Sequence, residues 1–196
     1  MIVIAHRRNT AEELEATPER HGIEVDIRSR GDELIIHHDA FVDGERFEDW
    51  LIAFRHRTLI LNVKEEGLER RLLNLMMARS IEDFFFLDQS FPYLIKTSRA
   101  GEQRCAVRVS EYEGIDTALL LAGKVRWVWV DCFNPGLWMT GDEARRLQAA
   151  GFRLCLVSPE LQGRRTPLDL QAVKDRLREE GIAMDAVCTK VAAQWE

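Results

Sequence analysis

The sequence is short of the features that mark several large classes of protein. No apolar run approaches the roughly 18 residues of a membrane span, so no integral membrane association is expected. The opening "MIVIAHRRNT" reaches charge too soon to form a signal-peptide core, which makes a cytoplasmic protein the expectation. Basic residues are in the minority, 27 Lys and Arg against 33 Asp and Glu, and the net charge of −6 repels polyanions. Nucleic acid is therefore not an expected partner, although a local basic pocket for one phosphate remains compatible with that balance. There are four cysteines, Cys105, Cys132, Cys155 and Cys188, without CxxC or zinc-finger spacing. Each falls in or just after an apolar run, as reduced core thiols do. No GxGxxG or GxxxxGK[ST] phosphate loop is present, nor any internal repeat, low-complexity tract or linker.

What is present is a recurring alternation. Short runs rich in Val, Ile and Phe stand at 2–5 (IVIA), 23–27 (IEVDI), 34–36 (LII), 59–63 (LILNV), 84–87 (FFFL), 105–109 (CAVRV), 126–131 (RWVWVD), 153–157 (RLCLV) and 185–189 (DAVCT). Helix-like segments lie between most of them. One puts Leu68, Leu72, Leu75 and Met76 on a single face; another opens at Thr140 and stops at Gly151. A third has Pro167 early, an apolar set at Leu170, Val173 and Leu177, and a stop at Gly181. Apolar strands alternating with amphipathic helices predict a parallel sheet covered on both faces. With 34–36 taken as an excursion after the second strand, eight strands remain, which predicts an α/β protein of the (β/α)8 TIM-barrel class. At 196 residues it would be one compact domain, 1–196, with short loops. The segment 6–22 has room for about two helical turns.

A barrel gathers its chemistry at the C-terminal ends of its strands. Those ends carry His6-Arg7, Glu24 and Asp26, His38-Asp39, Asn62 and Lys64, Asp88, Arg108 and Glu111, Asp131, Glu160 and Lys190. Glu24 and Asp26 are two apart on a strand and so share a face. Two like charges inside a covered sheet are costly unless something positive lies between them, either a divalent cation or the nearby Arg7, Arg8 or Arg28. His6 and His38 come from separate strand ends and could serve as acid and base on opposite sides of one reacting group. Arg7 and Lys64 could hold phosphate oxygens. His37 points away from the His38 face, and the polar surroundings of His21 and His56 suggest solvated surface positions.

"IAHRRNT", "GIEVDIRSRGDELIIHHD" and "LILNVK" together resemble the glycerophosphodiester phosphodiesterase family over roughly the first third of the chain. That family has His-Arg after its first strand, Glu-x-Asp on the second, a following His-Asp, and an acid-x-Lys on the third. The resemblance implies catalytic His6 and His38, a divalent cation (Mg²⁺ or Ca²⁺) on Glu24, Asp26 and Asn62, and phosphate held by Arg7 and Lys64. Arg108 and Glu111 are further candidates for substrate binding. The implied reaction is cleavage of a small phosphodiester, begun by a neighbouring hydroxyl of the substrate and completed as a histidine protonates the departing alcohol.

The sequence departs from the family pattern in three places. Pro-Glu is missing before Asn9-Thr10, Arg8 replaces a glycine, and the neutral Asn62 replaces the third-strand acid, which predicts weaker metal binding. Glu111 or Asp131 could compensate. Two alternatives stay open. One is a metal-free enzyme using Arg7 or Arg8 as its cation, similar to the phosphatidylinositol-specific phospholipase C family. The other is a degenerate barrel that binds a sugar phosphate or phosphodiester without turnover. Phe91, Tyr112, Phe133 and Trp138 could flank a sugar or glycerol, and Arg164 and Arg165 could reach a phosphate.

Overall fold

The computed structural model describes residues 1–164 and 166–196. Arg165 lies outside the described residues. In chain order the elements are β1 (Ile2–Ala5), α1 (Ala11–Glu15), β2 (Gly22–Arg30), β3 (Glu33–Ile36), β4 (Glu45–Arg46), α2 (Phe47–Ala53), β5 (Leu59–Val63) and α3 (Glu69–Ala78). Then follow β6 (Phe84–Leu87), α4 (Phe91–Arg99), β7 (Ala106–Val109), α5 (Ile115–Leu119), β8 (Trp127–Val130), α6 (Gly141–Ala149), β9 (Arg153–Val157), α7 (Pro167–Glu179) and β10 (Ala186–Thr189).

The strands are the β-branched and aromatic runs of the sequence, which suit a pleated, buried surface. Helices start where the chain offers reciprocal caps: Thr10 with Glu13 before α1, Thr140 with Glu143 before α6, and Thr166 with Asp169 before α7. Helix α3 buries Leu72 and Met76 and packs Leu68 and Leu75 beside them, the face its spacing predicts. The 34–36 excursion is β3, which folds back antiparallel on β2 with Ile27 opposite Ile36 and carries the short β4 on its other edge.

Among the described residues eight strands form a curled parallel sheet. Strand β1 pairs with β2 and β10, β2 with β5, and β5 with β6; β7, β8, β9 and β10 pair in succession. The β6–β7 seam is the thinnest place, joined by one bridge, Phe86 to Cys105, and by the Phe86 amide donating to the Arg104 carbonyl at 2.8 Å. Alternate strand residues pack on the concave side, where Ile4, Ile60, Phe85, Trp127 and Cys188 form one apolar cluster. Phe85 and Trp127 stack there with centroids 4.6 Å apart. Intervening residues such as Val25, Leu61, Val128 and Leu154 pack under the helices in a second, larger cluster.

Three features differ from expectation. His21 and His56 are buried, not solvated, with 6% and 8% of their surface exposed. Their partners come from far along the chain: His21 Nε2 lies 2.6 Å from Glu196 Oε1, and His56 Nε2 lies 2.8 Å from the Thr17 carbonyl. Helix α2 was not foreseen. It buries Trp50, which stacks between Phe47 and Phe54 and donates its indole N–H to the Arg8 carbonyl at 3.0 Å. The four cysteines are free and buried, as expected, and desolvation raises each thiol, that of Cys132 to about 12. Among the described residues no helix is long and apolar enough to cross a membrane.

Candidate functional site

The two-residue period of the strands carries each one from apolar to polar as it reaches the C-terminal rim. On β1 the concave-side series is Ile2, Ile4, His6; on β5 it is Ile60, Asn62, Lys64; on β7 it is Ala106, Arg108; on β8 it is Trp127, Trp129, Asp131. Strand β2 contributes Glu24 and Asp26, both with no exposed surface. A polar layer therefore lies on an apolar floor, in low dielectric and open to solvent on one side.

Glu24 accepts hydrogen bonds from the Arg7 backbone N–H at 2.7 Å and from Asn62 Nδ2 at 2.8 Å. Burial, then the neighbouring Asp26 charge, raises its carboxyl from the ordinary 4.5 to about 7. Asp26 is surrounded by donors and cations: Asn9 Nδ2 at 2.9 Å, Arg7 Nε at 3.4 Å and Lys64 Nζ at 3.2 Å. Of the basic residues near the pair, Arg7 and Lys64 stand beside Asp26, and Arg8 and Arg28 do not. Arg8 instead bonds Thr17 Oγ1, and Arg28 the His38 carbonyl.

His6 has a side chain only 13% exposed, with Nε2 3.7 Å from Glu24 Oε2 and Nδ1 buried without a hydrogen-bond partner. Burial, followed by the charges of Arg7, Lys190 and Lys64, lowers its pKa to about 3. Burial and these charges favour the neutral imidazole, and its Nδ1 makes no hydrogen bond within the protein.

On the far side of the mouth an alternating series of charges crosses the thin β6–β7 seam. Lys64 pairs with Asp26 and, at 3.3 Å, with Asp88; Asp88 also pairs with Arg108, whose guanidinium lies 3.7 Å from Asp131. Asp131 takes a further hydrogen bond from Gln162 Nε2 at 2.6 Å. Two residues of the rim, Arg7 (φ 51°) and Asp88 (φ 59°), hold left-handed backbone that costs a side-chain-bearing residue energy, a pattern that concentrates at functional sites.

His38 stands on the loop after β3, with its side chain 41% exposed and Nδ1 2.7 Å from Asp39 Oδ1. That hydrogen bond, with the charges of His38, His37 and Arg7, holds the Asp39 carboxyl below its usual range. His37 accepts the Asp39 backbone N–H at Nδ1, 3.0 Å away. Glu111, a candidate for substrate binding, is anchored at the rim by backbone contacts. Its carboxylate takes the backbone N–H groups of Phe133 and Asn134, both at 3.0 Å, and so fixes the loop after β8. Arg164 likewise bonds the carbonyls of Cys132 and Phe133.

Asn9 is a site residue that the residue pattern alone did not single out. It grips Asp26 from two directions, Nδ2 donating to the carboxylate and Oδ1 accepting the Asp26 backbone N–H at 3.1 Å. Its presence beside His-Arg in "HRRNT" was the available signal. A cleft of about 550 Å³ opens at the seam, lined by Asp88, Arg108, Phe91 and Tyr112. Tyr112 and Phe91 are exposed along it, and Phe133 is exposed beside Tyr112 with ring centroids 6.0 Å apart, whereas Trp138 is tied to the Asp131 carbonyl at 2.7 Å.

Among the described residues no three His, Cys, Asp or Glu side chains converge as a metal-ligand group. The available oxygen set is two carboxylates and one amide. Asp26 and Asn62 are register partners on neighbouring strands, and each has a buried Oδ1 without a hydrogen bond. With the Glu24 carboxylate these oxygens suit a hard divalent cation, although Lys64 competes for Asp26. The residues fit such an ion with less charge than three carboxylates would bring.

No protein-family model matches the chain, and no curated protein matches it. Solved structures do. A protein of Agrobacterium tumefaciens named as a glycerophosphoryl diester phosphodiesterase superposes with a TM-score of 0.72 at 13% identity, covering 99% of this chain and 96% of its own. A glycerophosphodiester phosphodiesterase of the same organism gives 0.67 at 15% identity, over 98% and 99%. A glycerophosphoryl diester phosphodiesterase of Parabacteroides distasonis gives 0.62 at 13%, over 96% and 82%. The chain shares the fold of these three proteins along nearly its whole length.

Proposed function

We propose that the chain is a phosphodiesterase of the glycerophosphodiester type, a single domain whose eight parallel strands close as a (β/α)8 barrel. The observation that carries this reading is the meeting, at one rim, of a buried histidine, a carboxylate pair and the cations Arg7, Lys64 and Arg108. The shared fold and the His-Arg, Glu-x-Asp, His-Asp and Asn-x-Lys series support it.

In this reading the anionic diester is drawn to Arg7 and Lys64, with Arg108 beyond them. A neighbouring hydroxyl of the substrate attacks phosphorus while His6 takes its proton. The bond from phosphorus to the departing alcohol breaks as His38, steadied by Asp39, donates a proton to that oxygen. Water then opens the cyclic phosphate, His38 accepting the proton of the water and His6 returning its own. Burial, and after it the charges of Arg7, Lys190 and Lys64, hold the His6 pKa low in the free protein; the arriving diester anion offsets the charges and makes the imidazole a better base. Glu24, Asp26 and Asn62 would hold a Mg²⁺ or Ca²⁺ ion, weakly, and such an ion supplies positive charge to the phosphoryl oxygens. The expected partner is a small phosphodiester.

A second reading, a barrel that binds a sugar phosphate or diester without turnover, draws on the neutral Asn62 in place of an acid. Hydrolysis of bis(p-nitrophenyl) phosphate and of glycerophosphodiesters with Mg²⁺ or Ca²⁺ present separates the two. Turnover supports the enzyme; tight anion binding with no turnover of any diester supports the binding protein.

A further inference from the structure

Among the residues of the charge series that the reaction above does not use is Asp88, at the thin β6–β7 seam. Asp88 follows β6, holds left-handed backbone at φ 59°, and places its carboxylate between Lys64 and Arg108. Lys64 already has Asp26 at 3.2 Å, and Arg108 already has Asp131 at 3.7 Å. Both cations are therefore supplied with a counter-charge on their outer sides. The Asp88 carboxylate stands directly between these two cations, on a backbone conformation that costs a side-chain-bearing residue energy.

The geometry assigns Asp88 the role of a charge filter, setting the mouth to accept a monoanionic phosphodiester in preference to a dianionic phosphomonoester. This rests on the phosphodiesterase reading of the site. A phosphoryl group on either Lys64 or Arg108 lies within two ion-pair lengths of the Asp88 carboxylate, roughly 7 Å. A diester carries one negative charge and a monoester nearly two at neutral pH, so the fixed carboxylate repels the monoester about twice as strongly. The cations still attract both anions; the filter acts on the difference. A substrate class follows: diesters in which neither alcohol carries a free phosphate. So does easier loss of any monoester product, which bears the second charge.

Asp88→Asn tests this, because asparagine tolerates left-handed backbone and keeps the size of the side chain while removing the charge. Calorimetric binding of dimethyl phosphate (monoanion) and methyl phosphate (dianion) is measured at pH 8 in wild type, Asp88→Asn and Asp116→Asn. Asp116 is an exposed carboxylate paired with Arg146 and serves as the control for net charge. The expected result is that Asp88→Asn tightens methyl phosphate about 3–10-fold more than dimethyl phosphate, the range that one screened charge at this distance supplies, with no such change in Asp116→Asn. Equal tightening of both anions, a change matched by the control, or weaker binding of methyl phosphate overturns the inference; the last would make Asp88 a positioning residue for the two cations. If wild type cleaves diesters yet the ratio does not move, the filter fails alone. If neither anion binds wild type or variant, the phosphodiesterase reading fails with it.

Discussion

Replacing Glu24 with glutamine should change the stability of the protein in opposite directions at low and high pH. Glu24 has no exposed surface, and its carboxyl is raised from 4.5 to about 7 by burial and by Asp26. As pH rises from about 4.5 to about 7 the unfolded chain gives up this proton while the folded chain keeps it. Folding is therefore penalised progressively across that window, and the whole penalty is present above it. At about 1.4 kcal/mol per pH unit the rise amounts to about 3 kcal/mol. Glutamine carries no charge and escapes this penalty, but its single oxygen cannot accept from both the Arg7 N–H and Asn62 Nδ2, which costs about 1 kcal/mol at any pH. Glu24→Gln should thus be about 2 kcal/mol more stable than wild type at pH 8 and about 1 kcal/mol less stable near pH 4.5. Urea denaturation at the two pH values, with chelator present, measures this directly. A difference that does not vary with pH would refute the reasoning, since it would mean that Glu24 titrates alike in folded and unfolded chains.

Other consequences can be checked separately. Asn62→Asp should tighten Mg²⁺ or Ca²⁺ binding by calorimetry, because it adds a charge beside the Asp26 carboxylate, and Asp26→Ala should remove the heat; equal heats in all three proteins would take the cation out of the site. Trp50→Ala should cost about 3–5 kcal/mol in urea denaturation, since it empties a fully buried aromatic stack and leaves the Arg8 carbonyl unpaired. A loss under about 1 kcal/mol would show that α2 collapses onto the gap.

The sheet was legible because strands covered on both faces read as unbroken Val, Ile, Leu and Phe runs, and all eight fall where those runs lie. Helix α2 was not, since "FEDWLIA" is seven residues long and opens at Arg46, which makes no side-chain cap. His21 and His56 were misplaced for a different reason. Their sequence neighbours are charged, but their burial depends on Glu196 and Thr17, partners that only tertiary structure supplies. The same limit applies at the rim. The two-residue spacing of Glu24 and Asp26 gave their common face, but not that Arg7, Lys64 and Asn9 meet Asp26. Glu111 stood at a strand end like the others; whether it faces substrate or two backbone amides is decided by the shape of the loop after β8.

The central claim is that His6 and His38 transfer protons in one reaction on one phosphodiester. Its most direct measurement is the cleavage rate of a glycerophosphodiester, with products identified by ³¹P NMR, for wild type, His6→Ala, His38→Ala and the double variant. The account predicts a loss of about 10²–10⁴-fold in each single variant. The double variant should fall well short of the product of the two losses, since both groups serve one transition state. Full activity in either single variant, or losses that multiply as for independent sites, would contradict it.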